Sequence, residues 1–569
     1  AAPAAGPGVF DIRDFGAVAD AGIDSRAMIQ AAIDAAHAAG GGLVYVPPGT
    51  WGIGAALEGA GSLQIDDNVF LKGAGMGQSI LRLMDGTDGV VTGMVRSVPG
   101  AVVENWGVAD LTLDGNRANT TAQVDGFYTG PKPGLTDADA DVTVLRLEVH
   151  DVSRYGVDPH EQTIRLSIRD SVSHHNGFDG FTIDFVSQSE LVGNLAYENG
   201  RHGFNFVTTS HDILVENNIA RDNGANGFVV QRGSEDIAPA HDIAFVGGQS
   251  TGNGGDGVLV HLSTGISVTG MEISGNGQSG VRLLGASNAT ISGNTIHDNS
   301  QALANATSEI LLAGYFDEVS GATFQATDNL VSDNVIACIS DIPSRYGLEE
   351  RDGEVAGNQY AGNLVSGPTR GAMLLFGADG QSQRIGTDGA DEMLGSAAID
   401  RITGLGGDDV IRAGASADRL EGGDGADTLA GNSGDDRLHG NLGNDSVIGG
   451  DGNDGLIGGN GDDTLLGNRG NDRLFGCVGN DIVRGEAGND TVSGGAGNDV
   501  LGGGSGEDWL IADAGNDAIA GGEDFDTLDF SKIAGPVVVN LSAGTATGAG
   551  NDTIVGIEAV IGTKGADGL

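Results

Sequence analysis

The sequence predicts an all-β chain made of two stacked-coil architectures in tandem: a right-handed parallel β-helix, then a parallel β-roll. Two periodicities predict it. From Asp391 to Asp526 an aspartate recurs every nine residues without a gap, within repeats approximating G-G-x-G-x-D-x-U-x, where U is large and apolar; Gly459-Asn460-Gly461-Asp462-Asp463-Thr464-Leu465 is one copy. Earlier, Asn176, Asn199, Asn223, Asn253, Asn276 and Asn299 mark a period of 23–24 residues with one interval of 30. The first period is that of a calcium-binding β-roll and the second that of a β-helix coil, whereas a propeller blade needs about 40–50 residues. A glycine content of 101 residues would ordinarily suggest disorder, but these glycines are in phase and read as turns.

The β-helix is expected over 1–370. Val9-Phe10-Asp11-Ile12 reads as a strand, and Asp24-Ser25 as the N-cap of a helix running to about His37. Met28, Ile29, Ala32, Ile33 and Ala36 form its apolar stripe, Gly40-Gly41-Gly42 ends it, and Leu43–Val46 follows as a strand. From about 60 to 365, Asn-Gly turns alternate with apolar triplets such as Gly180-Phe181-Thr182-Ile183 and Gly203-Phe204-Asn205-Phe206. The 30-residue interval is expected to hold a corner insertion. Residues 371–385 read as a linker, 386–529 as the roll and 530–569 as its C-terminal cap, with Val537–Leu541 a capping strand.

In each nonapeptide, the turn carbonyls and the Asp carboxylate face a cation while U enters a thin core. Calcium takes 6–8 oxygen ligands, which such turns supply. Several Ca2+ ions are therefore expected, held by Asp409, Asp418, Asp427, Asp436, Asp445, Asp454, Asp463, Asp472, Asp481, Asp490, Asp499, Asp508 and Asp517. Millimolar calcium is extracellular, so a secreted or cell-surface protein is expected.

The net charge is −51, and acids outnumber bases on both sides of residue 371. Nucleic acid is an improbable partner, because phosphate contacts need clustered Lys and Arg. No apolar run reaches the ~18–20 residues of a membrane span. Two cysteines, Cys338 and Cys477, exclude a disulfide framework and read as small buried residues. A monomer is expected.

The densest polar cluster is Tyr155-Gly156-Val157-Asp158-Pro159-His160-Glu161. One coil later comes Asp179-Gly180-Phe181-Thr182-Ile183-Asp184, and after another Arg201-His202-Gly203-Phe204-Asn205. Coil spacing brings Tyr155, His160, Asp184 and His202 to one face. Such a set suits proton abstraction beside a carboxylate: a base, an acid, and cations that neutralise the carboxylate. A phenol with a pKa of about 10 is a poor base at neutral pH, and adjacent cations favour its ionised form. His174 and His175 read as solvated turn residues.

These strings resemble the calcium-dependent mannuronan C5-epimerases, which convert β-D-mannuronate to α-L-guluronate within alginate. The resemblance spans nearly the whole chain. It includes Asp14-Phe15-Gly16-Ala17, Leu111-Thr112-Leu113-Asp114-Gly115-Asn116-Arg117, the YGVDPHE string, Asp179-Gly180-Phe181, Arg201–Asn205 and Val230-Gln231-Arg232-Gly233. It implies that Tyr155 and His160 are the catalytic acid/base pair, that Asp158 and Asp184 support them, and that Arg201 and His202 neutralise the substrate carboxylate. Arg96, Arg232 and Arg282 are expected subsite contacts, and alginate the polymeric partner.

Two positions depart from the family pattern. Gln123 stands where a Lys usually precedes Val124-Asp125-Gly126, and Arg154 precedes the Tyr where a small residue is common. Both are expected substrate contacts, as is His261 along the groove. Epimerisation and β-elimination share the loss of H5, so a lyase, alone or combined with epimerisation, is the alternative. A non-catalytic carbohydrate-binding protein is the third class; Tyr155→Phe would leave its polymer affinity unchanged.

Overall fold

The computed structural model describes residues 8–55, 62–130, 138–160, 162–233, 238–302, 307–317, 322–337, 346–351, 355–356, 358–361, 363–366, 373–376, 382–395 and 397–568. Two compact units are present: 1–344 with 354–364, and 345–353 with 365–569.

The first unit begins with strand Val9–Asp11 and a short 3-10 turn, Ile12–Phe15, ended by Gly16 at φ 93°. Helix Arg26–Ala38 then packs Ile29, Ala32, Ile33 and Ala36 against the first coils. Ser25 stands at the N-cap, but its hydroxyl bonds Val18 instead. The Asp24 carboxylate accepts from the Arg26 and Gly54 N–H groups, so the start of the helix is stapled to the end of strand Gly49–Ile53.

Beyond the helix every coil repeats the last. Strand Phe181–Asp184 pairs in parallel with Phe204–Val207, which pairs with Phe228–Val230, which pairs with Val258–His261. Inward-facing residues therefore stack on themselves: the rings of Phe181, Phe204 and Phe228 lie 4.7 and 4.8 Å apart. Burying each such ring is worth about 1.5–3 kcal/mol.

The recurrent asparagines are more than turn formers. The Asn176 amide donates to Asn199 Oδ1 (3.0 Å), Asn199 to Asn223 (2.9 Å), Asn223 to Asn253 (2.9 Å) and so on to Asn276 and Asn299. A buried ladder forms, in which each side chain satisfies the next coil's amide. The 30-residue interval places its extra length between Val230 and His241, at a corner. His174 lies on strand Val172–His174 and not in a solvated turn; its ring stacks between His150 (5.1 Å) and Tyr197 (4.6 Å).

In the second unit, strands of about six residues alternate between two parallel sheets, and strands 18 residues apart pair. Leu420, Leu438, Leu456 and Leu474 from one sheet and Leu429, Val447, Leu465 and Val483 from the other fill a thin core. The span expected as a linker is not unstructured throughout. Met373–Phe376 and Ser382–Ile385 form an antiparallel pair, and the latter joins Asp400–Gly406 in parallel. At the C-terminal end Val538–Asn540, Thr545–Thr547 and Asn551–Val555 form an antiparallel meander. Its last strand extends the sheet of Ala518–Glu523 and covers that edge. Cys477 is half-buried at φ 87°, less enclosed than a core position; Cys338 lies outside the described residues.

Candidate active site

One sheet of the first unit carries the site on its outer face. Register aligns Arg96, Tyr128 and Asp158 on successive coils. Val157 pairs with Phe181, which sets Asp158 level with Thr182 and His160 level with Asp184; these in turn pair with Asn205 and Val207. The inward partners, Phe181, Ile183, Phe204 and Phe206, are fully buried, so period-2 alternation forces the polar residues outward.

A cavity of about 600 Å³ opens over this face, lined among others by Tyr155, Asp158, His160, Asp184, Arg154 and Arg201. Arg232 also reaches it, as do Asp125, Asn205 and Gln231 from strings quoted for the resemblance, and Tyr128 and Phe185, which sequence reasoning did not single out. His160 Nδ1 is 2.9 Å from Asp184 Oδ2 and 3.9 Å from Asp158 Oδ1. Burial pushes the Asp158 carboxyl well above the usual range; the neighbouring Asp125 adds to this and His160 opposes it. Burial likewise raises Asp125, opposed by Arg154, whose Nε lies 3.5 Å from Asp125.

Asp179 organises the next coil. Fully buried, it takes both arms of Arg201 (2.7 and 2.5 Å), the His202 N–H (3.0 Å) and the Asn205 amide (2.9 Å). Burial works against its charge, but the Arg201 hydrogen bonds and the nearby His202 prevail and its pKa is lowered. The Arg201 guanidinium, so fixed, lies against the Tyr155 ring and places its positive charge beside the phenol. The guanidinium carbons of Arg154 and Arg201 lie 5.2 and 5.6 Å from the Tyr155 ring centre, and Phe178 packs on the same ring.

Several expected contacts lie elsewhere. Gln123 is exposed on a short strand paired with Val90–Val91, outside the cavity. The His202 ring accepts the Asn226 N–H through Nδ1 (3.2 Å), and burial lowers its pKa. Arg282 is drawn to buried Asp256 and Gln278. Arg96 is buried, stacked over Tyr128 (4.7 Å) and bonded to the Ser97 carbonyl. His261 packs edge-on against Tyr315. Arginines facing outward from a strand find a partner one coil away, which linear sequence does not reveal. Glu161 lies outside the described residues.

In the roll, each repeat Asp from Asp409 to Asp526 accepts through Oδ1 the N–H of the Asp 18 residues earlier, as Asp463 does from Asp445 (2.8 Å). From Asp409 to Asp517 every Oδ2 of the series is buried with no hydrogen-bond partner. Burial pushes Asp409, Asp418, Asp454, Asp463 and Asp490 up to about 7. Glycine makes room for that oxygen: a Cβ on Gly458 would lie 2.3 Å from Asp463 Oδ2. An unpaired carboxylate oxygen in a glycine cradle, repeated along two edges, suits a hard divalent cation. On one outer face Arg401, Arg419, Arg437 and Arg473 share a column, the last three beside a cavity of about 310 Å³.

Comparison with known proteins agrees with both architectures. A family profile described as rhamnogalacturonase A/epimerase, pectate lyase-like, matches residues 9–241; a right-handed β-helix profile matches 243–384; and the RTX calcium-binding nonapeptide repeat recurs between 385 and 528. Mannuronan C5-epimerase AlgE4 of Azotobacter vinelandii is 51% identical over 63% of this chain and 65% of its own length. Alginate lyase 7 of the same organism is 48% identical over 65% of this chain and 43% of its own. The solved A-module of mannuronan C5-epimerase AlgE6 superposes with a TM-score of 0.63 at 47% identity, covering 65% of this chain and 96% of that one. The chain spans 20% to 65% of the length of the curated relatives it matches. The chain thus matches that A-module at 47% identity over almost the module's full length, and it belongs to the mannuronan C5-epimerase family.

Proposed function

We propose that the chain converts β-D-mannuronate to α-L-guluronate within polymeric alginate. The observation that carries this reading is the convergence of Tyr155 and His160 on one cavity, with Asp184 behind the imidazole and Arg201 behind the phenol. One of the pair removes the C5 proton, and the electron pair spreads into the C6 carboxylate. The other returns a proton to C5 from the opposite face. Burial raises the Asp158 carboxyl, which favours its donating a hydrogen bond to that carboxylate as charge builds on it; Arg154 and Arg232 supply positive potential at the same wall. Arg201 is committed to Asp179, so its role is to position Tyr155 and stabilise charge on the phenolic oxygen.

Elimination is the second reading, favoured by Arg154 lying over the Tyr155 ring and by the relative named alginate lyase. There the same electron pair expels the 4-O-linked sugar, breaking C4–O4 and leaving a C4=C5 bond. The roll binds calcium through the unpaired Asp oxygens, and its arginine column offers the polyanion a second contact. A calcium-dependent enzyme of this kind works outside the cell. Among the described residues no helix is long and apolar enough to cross a membrane.

The test is proton NMR of polymannuronate incubated with protein and calcium, with ultraviolet absorbance followed in parallel. Guluronate signals with flat absorbance establish the epimerase. Rising absorbance from the conjugated uronate establishes elimination. The absence of both changes refutes both readings.

A further inference from the structure

A hydrogen-bonded relay runs along the wall of the candidate active site and crosses from coil to coil. Gln231 Nε2 donates to Asn205 Oδ1 (2.9 Å), and Asn205 Nδ2 donates to Asp179 Oδ2 (2.9 Å). Asp179 takes both arms of Arg201, whose guanidinium lies against the Tyr155 ring. The relay is a local departure from the repeat. In the column of Asn205 the next two coils carry Val229 and Leu259, yet Asn205 is 3% exposed. Burying an amide is costly unless both its ends are bonded, and here both are.

The polarity of the relay is fixed from its buried end. Burial opposes the charge on Asp179, but the Arg201 bonds and nearby His202 hold it below the usual carboxylate range, so it only accepts. Asn205 must therefore turn its NH2 to Asp179 and its carbonyl to Gln231, and Gln231 must give its own NH2 to Asn205. What remains at the open end is Gln231 Oε1, an acceptor with no hydrogen-bond partner among the described residues, on a side chain that lines the cavity. An acceptor of this kind repels a carboxylate and takes a hydroxyl. Gln231 follows strand Phe228–Val230, which lies three coils from Val157–Pro159, the strand between Tyr155 and His160. At about 4.8 Å per coil that is about 14 Å along the groove, so the hydroxyl belongs to another sugar than the one that loses H5.

We propose that Gln231 is a specificity-determining residue of the groove: its carbonyl accepts a hydroxyl of a sugar beyond the reacting one, and that contact steadies the relay that positions Tyr155. The proposal rests on reading the cavity as a site for a uronate polymer. Binding energy gathered away from the reacting atoms then serves to orient Tyr155, so it raises kcat more than it lowers KM.

The test follows loss of the H5 signal by proton NMR, a step common to epimerisation and elimination. It uses the full chain in calcium and mannuronate oligomers of increasing length. In the parent, kcat should rise at the length whose added sugar reaches Gln231. In Gln231→Met, which keeps the length of the side chain and removes both hydrogen bonds, the ratio of kcat on long to short oligomers should fall by about three- to tenfold, the worth of one neutral hydrogen bond. Both lengths are read on one preparation, so any unfolded fraction cancels from the ratio. An unchanged ratio overturns the proposal, because Gln231 would then serve the frame alone. So does a change confined to KM, or a parent whose kcat does not depend on length. If the parent consumes H5 at no length, the uronate reading of the cavity fails instead.

Discussion

Asp179→Asn isolates the electrostatic frame of the candidate active site from its shape. The wild-type carboxylate receives two bonds from Arg201, one from the His202 N–H and one from the Asn205 amide, all between 2.5 and 3.0 Å, and is fully buried. An amide keeps the volume but turns one acceptor into a donor aimed at those same groups. Breaking a buried charge pair from one side costs about 3–5 kcal/mol, because the remaining charge loses its partner. Arg201 is only partly buried, which brings the expected loss of stability to about 2–3 kcal/mol. Turnover should suffer more than folding. Released from Asp179, the guanidinium is no longer held against Tyr155, and losing one preorganised electrostatic contact lowers kcat by about 10²–10³-fold. The assay pairs thermal unfolding in saturating calcium with NMR rates on polymannuronate, taken well below the midpoint. A variant that unfolds early yet keeps full kcat refutes the claim that Asp179 acts through Tyr155. One that keeps both stability and rate refutes the whole frame.

Other consequences are equally direct. Tyr155→Phe should abolish turnover while polymer affinity, read by retention on immobilised polymannuronate, stays within about twofold; normal turnover would remove Tyr155 from the acid/base pair. Arg154→Ala should shift the ratio of guluronate to unsaturated ends, read on the same sample, if that cation biases the fate of the carbanion. The calcium-free roll should lose stability as pH rises. Folded-state pKa values of about 7 for Asp409, Asp418, Asp454, Asp463 and Asp490 exceed the ordinary carboxylate value of 3.8, so protons bind the folded roll more tightly. That stabilisation is complete below about pH 4 and disappears as pH climbs through about 7, where circular dichroism in chelator should show unfolding that added calcium reverses. A pH-independent spectrum would contradict the buried-carboxylate picture. Asn223→Leu should destabilise the first unit by about 2–4 kcal/mol in denaturant titrations, because the Asn199 amide and the Ala196 carbonyl both lose buried partners.

Repetition made much of this protein legible from the chain alone. A nine-residue aspartate register admits one solution, because only a two-sheet roll returns each Asp to the same edge and each apolar U to the same core. The coil period likewise puts Tyr155, His160 and Asp184 on one face, although His202, expected with them, turns to the Asn226 N–H instead. What the sequence could not decide was which polar groups face each other across coils. Arg201 and Arg282 read alike as free cations, yet each is claimed by a buried aspartate 22 or 26 residues away. The asparagines read as turn formers, although their amides make a continuous buried ladder. Asp125 and Asp179 stand within strings that carry the family resemblance, but their roles were not legible there, because those come from burial and from partners supplied by other coils. Periodicity determines the direction in which a side chain points, whereas its charge state and partners depend on what stacks above and below it, and only the folded structure brings those groups together.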